Sequence, residues 1–222
     1  RIILDIKIPQ SAIGNLQMIK IIFIINLFSA GVSYGQLFEL THDNEIRNYW
    51  VDYPDGEPGP TPLVISMHGF GQTIENMRNY SQMTYFASDQ GIAVVYPQGL
   101  NFFGGPAWNA GVYWSFSFFD DVGYINALID SVSSNFSIDT NRIYACGMSN
   151  GGYMAYDLSC ELADRIVAFG SVTGNFMLNS EQDCTNEREI PIIHIHGTSD
   201  AVINYYPPTF DGSLSPNESI DF

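Results

Sequence analysis

Lysine is nearly missing from this chain. Its two lysines, Lys7 and Lys20, lie within the first twenty residues; beyond them the cations are Arg47, Arg78, Arg142, Arg165 and Arg188. Against 24 acidic residues the formal charge is -16. Such a surface repels phosphate backbones and anionic headgroups, so nucleic acid and membrane surfaces are excluded as natural partners. Cysteine is scarce too. Cys146, Cys160 and Cys184 form no CxxC and no Cys/His spacing of a zinc site, so no metal is expected. Long apolar runs are also lacking. Ile19 to Phe28 is too short to span a bilayer comfortably, and no membrane insertion of the mature chain is expected. There is no internal repeat and no linker that would divide the chain.

What is present begins with that short run. Lys20 stands at its start and Ser29, Ala30, Gly31, Ser33 and Gly35 follow it. A basic start, an apolar middle and a small-residue exit form the pattern of a secretory signal peptide. Met18 is the expected start and a cut after Gly35 leaves Gln36 first. The reading is residues 1–17 as an upstream segment, 18–35 as a signal peptide and 36–222 as one domain. Export makes a disulfide possible. Cys160 with Cys184 is the favoured pair because both fall near polar, loop-like stretches; spacing does not settle connectivity. Cys146, in an apolar run, reads as a buried thiol.

From Tyr49 onward short apolar runs alternate with helical stretches. Strands are expected at 49–53, 63–67, 92–96, 142–146, 166–172 and 192–195. Helices are expected at 74–88, 121–136 and 151–162, and a long aromatic loop at 100–119. Continuous apolar strands alternating with helices predict a doubly wound, mostly parallel α/β sheet covered on both faces. Functional groups of such sheets gather at the carboxyl ends of strands. His68-Gly69, Ser149 and Asp200 all sit there.

Gly147-Met148-Ser149-Asn150-Gly151 follows the strand Arg142-Ile-Tyr-Ala-Cys and opens a helix. A serine hydroxyl is a weak nucleophile; it must be presented, deprotonated and faced with donors for the oxyanion. The strand–turn–helix setting presents it. One oxyanion donor is expected from the backbone N–H of Asn150. The other is expected from the His68-Gly69-Phe70-Gly71 loop, assigned to Phe70 with Gly71 as the near alternative. His68 itself reads as structural. Asp200, after the run Ile192-Ile-His-Ile-His-Gly-Thr-Ser, is placed to orient a histidine. Asp120 and Asp121 read instead as caps of the following helix.

No histidine follows Asp200. The four present are His42, His68, His194 and His196. His194 and His196 share one strand face and read as packing residues rather than metal ligands. The expectation is that the domain is incomplete at its C-terminus and that the base, a further strand and a last helix lie beyond Phe222, so the fragment turns over little.

Several segments together resemble a known group. They are Met67-His-Gly-Phe-Gly-Gln-Thr, Val95-Tyr-Pro-Gln-Gly, Trp108-Asn, Asp120-Asp-Val-Gly-Tyr-Ile, Ile138-Asp-Thr-Asn-Arg-Ile-Tyr, Gly147-Met-Ser-Asn-Gly-Gly-Tyr-Met-Ala, Cys160-Glu-Leu-Ala-Asp-Arg-Ile and His194-Ile-His-Gly-Thr-Ser-Asp. The chain resembles secreted polyhydroxybutyrate depolymerases and the feruloyl and acetylxylan esterases of carbohydrate esterase family one. The resemblance implies an α/β-hydrolase fold, Ser149 as nucleophile, Asp200 as triad acid and a histidine in a later Gly-His-type motif. Where that family often has Cys after His-Gly, this chain has Phe70.

The expected reaction is ester hydrolysis through an acyl-enzyme, with no cofactor and with either a polyhydroxyalkanoate-type polyester or a feruloyl or acetyl ester of plant polysaccharide as substrate. Aromatics of the 100–119 loop, Trp108 and Trp114 first, are assigned to substrate binding. Two other classes stay open: a prolyl-oligopeptidase-like peptidase, told apart by cleaving amides over esters, and a non-catalytic binder of polymer or carbohydrate. Location outside the cell or in the periplasm follows from the leader; the oligomeric state does not follow from anything in the chain.

Overall fold

The computed structural model describes residues 34–56, 59–102, 104–112, 118–177, 184, 189–209 and 212–221. The upstream segment 1–17 and the leader up to residue 33 lie outside them. One strand precedes those expected from the sequence, and the first expected strand, 49–53, is the second half of a longer one. β1 (Tyr34–His42) and β2 (Glu45–Tyr53) form an antiparallel hairpin. Asp43 and Asn44 turn it, both at positive φ (49° and 64°), the conformation a two-residue hairpin turn needs. Phe38 and Leu40 pack from β1 against the core while alternate residues face out. The sheet ladder starts at Tyr34, opposite Tyr53, two residues before the Gln36 expected to begin the domain.

β3 (Thr61–Met67), β4 (Ala93–Pro97), β7 (Ile138–Met148), β8 (Ala168–Val172) and β9 (Ile192–Ile195) complete a seven-stranded sheet in the order β1-β2-β4-β3-β7-β8-β9. β3, β4, β7, β8 and β9 are mutually parallel; β2 joins β4 antiparallel. Residues of β4 alternate between two helix layers, as period two requires. Val94 and Tyr96 pack with Ile74, Met77 and Ala87 of α1 (Ile74–Ser81) and α2 (Met83–Ser88). Ala93 and Val95 join a larger core with α3 (Asp121–Asn135) and α4 (Asn150–Glu161). A short α5 (Pro216–Asp221) closes the described part.

Three local readings change. The single helix expected over 74–88 is broken at Gln82, which takes a left-handed conformation (φ 49°) between α1 and α2. The 100–119 loop contains a small hairpin, β5 (Leu100–Phe102) and β6 (Gly105–Ala107). Asp120, not Asp121, caps α3, accepting from the Gly123 amide at 2.8 Å. Asp121 is buried instead. Its carboxylate takes Arg47 at 2.6 Å and the Asn109 amide at 2.7 Å, while the Arg47 guanidinium lies 3.8 Å over the Tyr124 ring. This pair ties β2, α3 and the loop after β6 together.

From β3 the chain moves outward to β4, and from β7 it moves the other way to β8. The crevice between the carboxyl ends of β3 and β7 is therefore the topological switch point, where open α/β sheets bind ligands. His68-Gly69-Phe70 leaves β3 there, and Ser149 follows β7.

Candidate active site

Ser149 stands between β7 and α4 at φ 53°, ψ -118°, a region that residues with a side chain rarely occupy. Three things hold it there. Its amide donates to Val172 O at the end of β8 (2.8 Å). Its carbonyl starts α4 by accepting from Gly152 and Tyr153 (2.8 and 3.0 Å). The glycines on either side allow strand and helix to touch: a Cβ at Gly147 would lie 2.1 Å from Gly151 O, and one at Gly151 would lie 2.5 Å from Met67 O.

Asn150, fully buried, follows at the start of α4. Its side-chain carbonyl accepts from the Trp108 amide (2.6 Å) and its NH2 donates to Trp108 O (3.1 Å). The Trp108 indole N–H donates to His68 O (2.8 Å), and its ring centroid is 4.9 Å from that of His68. Trp108 thus fastens the nucleophile helix to the loop after β3. It is 0% exposed, which corrects its assignment to substrate binding; Trp114 lies outside the described residues.

The His68 ring fixes the same loop from below. Gly69 O can only accept, so Nδ1 carries the proton toward it (2.8 Å). Nε2 then accepts from Gln98 Nε2 and from the Gly99 amide, both at 2.9 Å. Burial, opposed by the bond to Gly69 and aided by the Arg47 charge, lowers the His68 pKa to about 4. The ring is neutral and fully committed, as a structural histidine should be. Gln72 accepts from the Gly69 amide (3.1 Å), and the Gly71 amide donates to Pro106 O of β6 (2.8 Å). That bond occupies the Gly71 amide.

Asp200 lies in the loop after β9. Its Oδ1 accepts from the Val202 and Ile203 amides (2.8 and 3.0 Å), and its Oδ2 is 3.8 Å from His196 Nε2. The carboxylate remains partly accessible. The histidines lie elsewhere. His42 bonds Asp120 (3.1 Å), His68 serves the β3 loop, and His194 and His196 bond each other (3.1 Å). Ser149 thus follows β7, the His68–Gly71 loop follows the adjacent β3, and Asp200 follows β9, two strands from β7; each histidine of this chain is engaged with another partner.

Cys160 and Cys184 are joined by a disulfide, which ties the end of α4 to the segment before β9. Cys146 is a free thiol whose pKa burial pushes up to about 11, so it is inert at neutral pH. Among the described residues, one group could gather ligand atoms for a cation: His42, Asp43 and Asp120, within 4.8 Å of one another. Asp120 is already the α3 cap and His42 its partner. No helix among the described residues is long and apolar enough to cross a membrane.

Sequence reasoning did not find the supports: Asn150 as a side chain, Gln98, Gln72 and Trp108. Gln98, in Pro97-Gln98-Gly99 directly after a buried strand, carried a usable signal, since a polar residue at a strand end points to the site.

Residues 54–208 match the family described as phospholipase/carboxylesterase. A bifunctional acetylxylan esterase/xylanase of Neocallimastix patriciarum is 30% identical over 159 residues, 72% of this chain and 22% of that protein. Feruloyl esterase B of Piromyces equi is 32% identical over 165 residues, 72% of this chain and 30% of its own length. The chain thus spans less than a third of these two relatives. An S-formylglutathione hydrolase from Agrobacterium tumefaciens superposes with a TM-score of 0.64 at 15% identity, covering 85% of this chain and 83% of that one. A thermostable esterase superposes with a TM-score of 0.60 at 20% identity, covering 77% and 48%. These structures share the fold, an α/β-hydrolase sheet. The chain belongs to the phospholipase/carboxylesterase family.

Proposed function

We propose that this member of the phospholipase/carboxylesterase family is a secreted serine esterase acting on feruloyl or acetyl esters of plant polysaccharide. The observation that carries the reading is the backbone of Ser149, held at φ 53° between a buried strand and a helix. Strain of this kind persists where surrounding structure over-determines it, and it exposes a hydroxyl above the strand ends.

The chemistry follows from the parts. Ser149 Oγ attacks the ester carbonyl, and a tetrahedral oxyanion forms. Donors are the amides of Asn150, at the positive end of α4, and of Phe70 in the loop that His68, Trp108 and Gly71 hold still. The intermediate collapses with loss of the alcohol, leaving an ester on Ser149 that water hydrolyses. Asp200 orients and stabilises the imidazole base that both steps need. No step calls for a metal or a cofactor.

The polysaccharide ester is preferred to a polyester because the two relatives above are an acetylxylan esterase/xylanase and a feruloyl esterase. Export is supported by the disulfide, which oxidising compartments favour, and by the leader pattern of the sequence. The test is Ser149→Ala in the full-length protein, with methyl ferulate and acetylated xylan as substrates and p-nitrophenyl acetate as a generic ester. Loss of roughly 10⁴-fold or more in kcat is expected. Intact activity in the variant removes the assignment; activity on polyhydroxybutyrate with none on either plant ester removes the substrate.

A further inference from the structure

The acid loop is joined to the nucleophile helix by a chain of three rings. Tyr156, two turns after Ser149 on α4, has its hydroxyl 2.7 Å from His194 Nδ1. His194 Nε2 is 3.1 Å from His196 Nδ1, with the two imidazoles stacked at 9°. His196 Nε2 is 2.8 Å from Ile203 O, and the Ile203 amide donates to Asp200.

One end of this chain fixes the direction of the whole. A carbonyl oxygen can only accept, so His196 carries its proton on Nε2. In the neutral ring Nδ1 is then an acceptor, and His194 must donate from Nε2. His194 Nδ1 accepts in turn, and the Tyr156 hydroxyl donates. No other set of neutral tautomers satisfies every contact. Burial and the neighbouring imidazole lower the His194 pKa to about 4, which keeps that ring neutral.

We infer that Tyr156, His194 and His196 are positioning residues: their one-directional hydrogen-bond chain sets Asp200 relative to the helix that presents Ser149. The inference rests on the esterase reading. Packing alone does not account for the arrangement. Two imidazoles next to each other cost more to desolvate than two apolar rings of the same size, unless their polar atoms are used. Here all four ring nitrogens are used, and the line of bonds runs from helix to acid loop. His196 is buried, with its side chain 1% exposed, whereas the Asp200 carboxylate it supports is 19% exposed. The loop is thus held from inside by hydrogen bonds while its working face stays open.

Two experiments test this. The first is 15N NMR of the full chain with labelled histidine at pH 7. His194 and His196 should both show a protonated Nε2 and an unprotonated Nδ1; an Nδ1–H tautomer at either ring overturns the inference. The second is Tyr156→Phe, which keeps the ring and removes the donor. In the full-length enzyme kcat for p-nitrophenyl acetate should fall roughly 10-fold with KM within about twofold, because a displaced acid affects the reacting geometry rather than binding. A drop in melting temperature with kcat unchanged well below the transition assigns a merely structural role and overturns the inference. If the variant does not fold, the tautomers of the wild-type chain decide. Failure of the esterase reading is distinct: it appears as an active Ser149→Ala protein, whatever the tautomers are.

Discussion

The centre and the edge of the sheet carry the two halves of the proposed site, and they are built differently. β4 is buried at all five positions. β9, equally apolar in sequence, is half-exposed along its length, with Ile193 68% and Ile195 58% exposed. At the centre, Ser149 is held by backbone contact: glycines at the limit of approach, an amide anchored on β8, and the His68–Trp108–Asn150 network. At the edge, Asp200 is held by hydrogen bonds across an open loop. Burial sustains the strained backbone at Ser149, and directed polar contacts hold the Asp200 loop.

The largest expected effect sets a glycine of the centre against one of the edge. A Cβ at Gly151 would meet Met67 O at 2.5 Å and His68 O at 2.7 Å, both backbone atoms that cannot swing away; one at Gly197 meets nothing within 4 Å. Gly151→Ala should cost more than about 3 kcal/mol in urea unfolding or prevent folding, whereas Gly197→Ala should stay within about 1 kcal/mol. Equal costs would break the comparison.

Acid sharpens it at an intermediate size. His68 has a folded pKa of about 4 against 6.5 when free. Between those values the unfolded chain binds a proton that the native chain does not, so stability falls as pH falls through this window. From pH 7 to pH 5 the loss attributable to this fully buried ring is about 2 kcal/mol. Urea unfolding at the two pH values measures the total, and the His68 ring resonance assigns it: that signal should stay flat down to pH 5. A His68 that titrates near pH 6.5 would mean that the centre opens as readily as the edge.

How much of this was legible follows the same division. The elbow could be read because strand, Gly-x-Ser-x-Gly and helix are contiguous, and local patterns survive folding. That Asp200 lies in a loop after a strand was legible from the apolar run before it. The ties around Ser149 were not, since Trp108 and Asn150 are 42 residues apart and His68 and Gln98 are 30 apart. Trp108 drew attention as an aromatic in a loop, but tertiary packing placed it inside. The rank of β9 in the sheet was equally hidden: an apolar run announces a strand, and only the order of strands decides whether both faces are covered. β1 was hidden by its neighbour. Its inward residues alternate with polar ones, a weaker signal than the apolar run just before it, although Asp43-Asn44 between alternating segments did mark a hairpin.

The smallest expected effect is the most searching for the edge itself. Ile65 on β3 and Ile193 on β9 are the same residue in two apolar strands, and the first is 0% exposed. Ile65→Ala removes buried methylenes and leaves a cavity in the larger core, a loss of about 2–5 kcal/mol. Ile193→Ala removes atoms that already face water, so residues 1–222 should lose less than about 0.5 kcal/mol. Urea unfolding of both variants, with unchanged m-values, gives the contrast directly. Repeating the pair in the full-length protein carries it further. A cost at Ile193 that rises to 2 kcal/mol or more there would mean that another part of the protein covers β9, so that the acid loop is held by burial as well as by Tyr156, His194 and His196. A cost that stays small would leave the hydrogen-bond chain as the main support of Asp200.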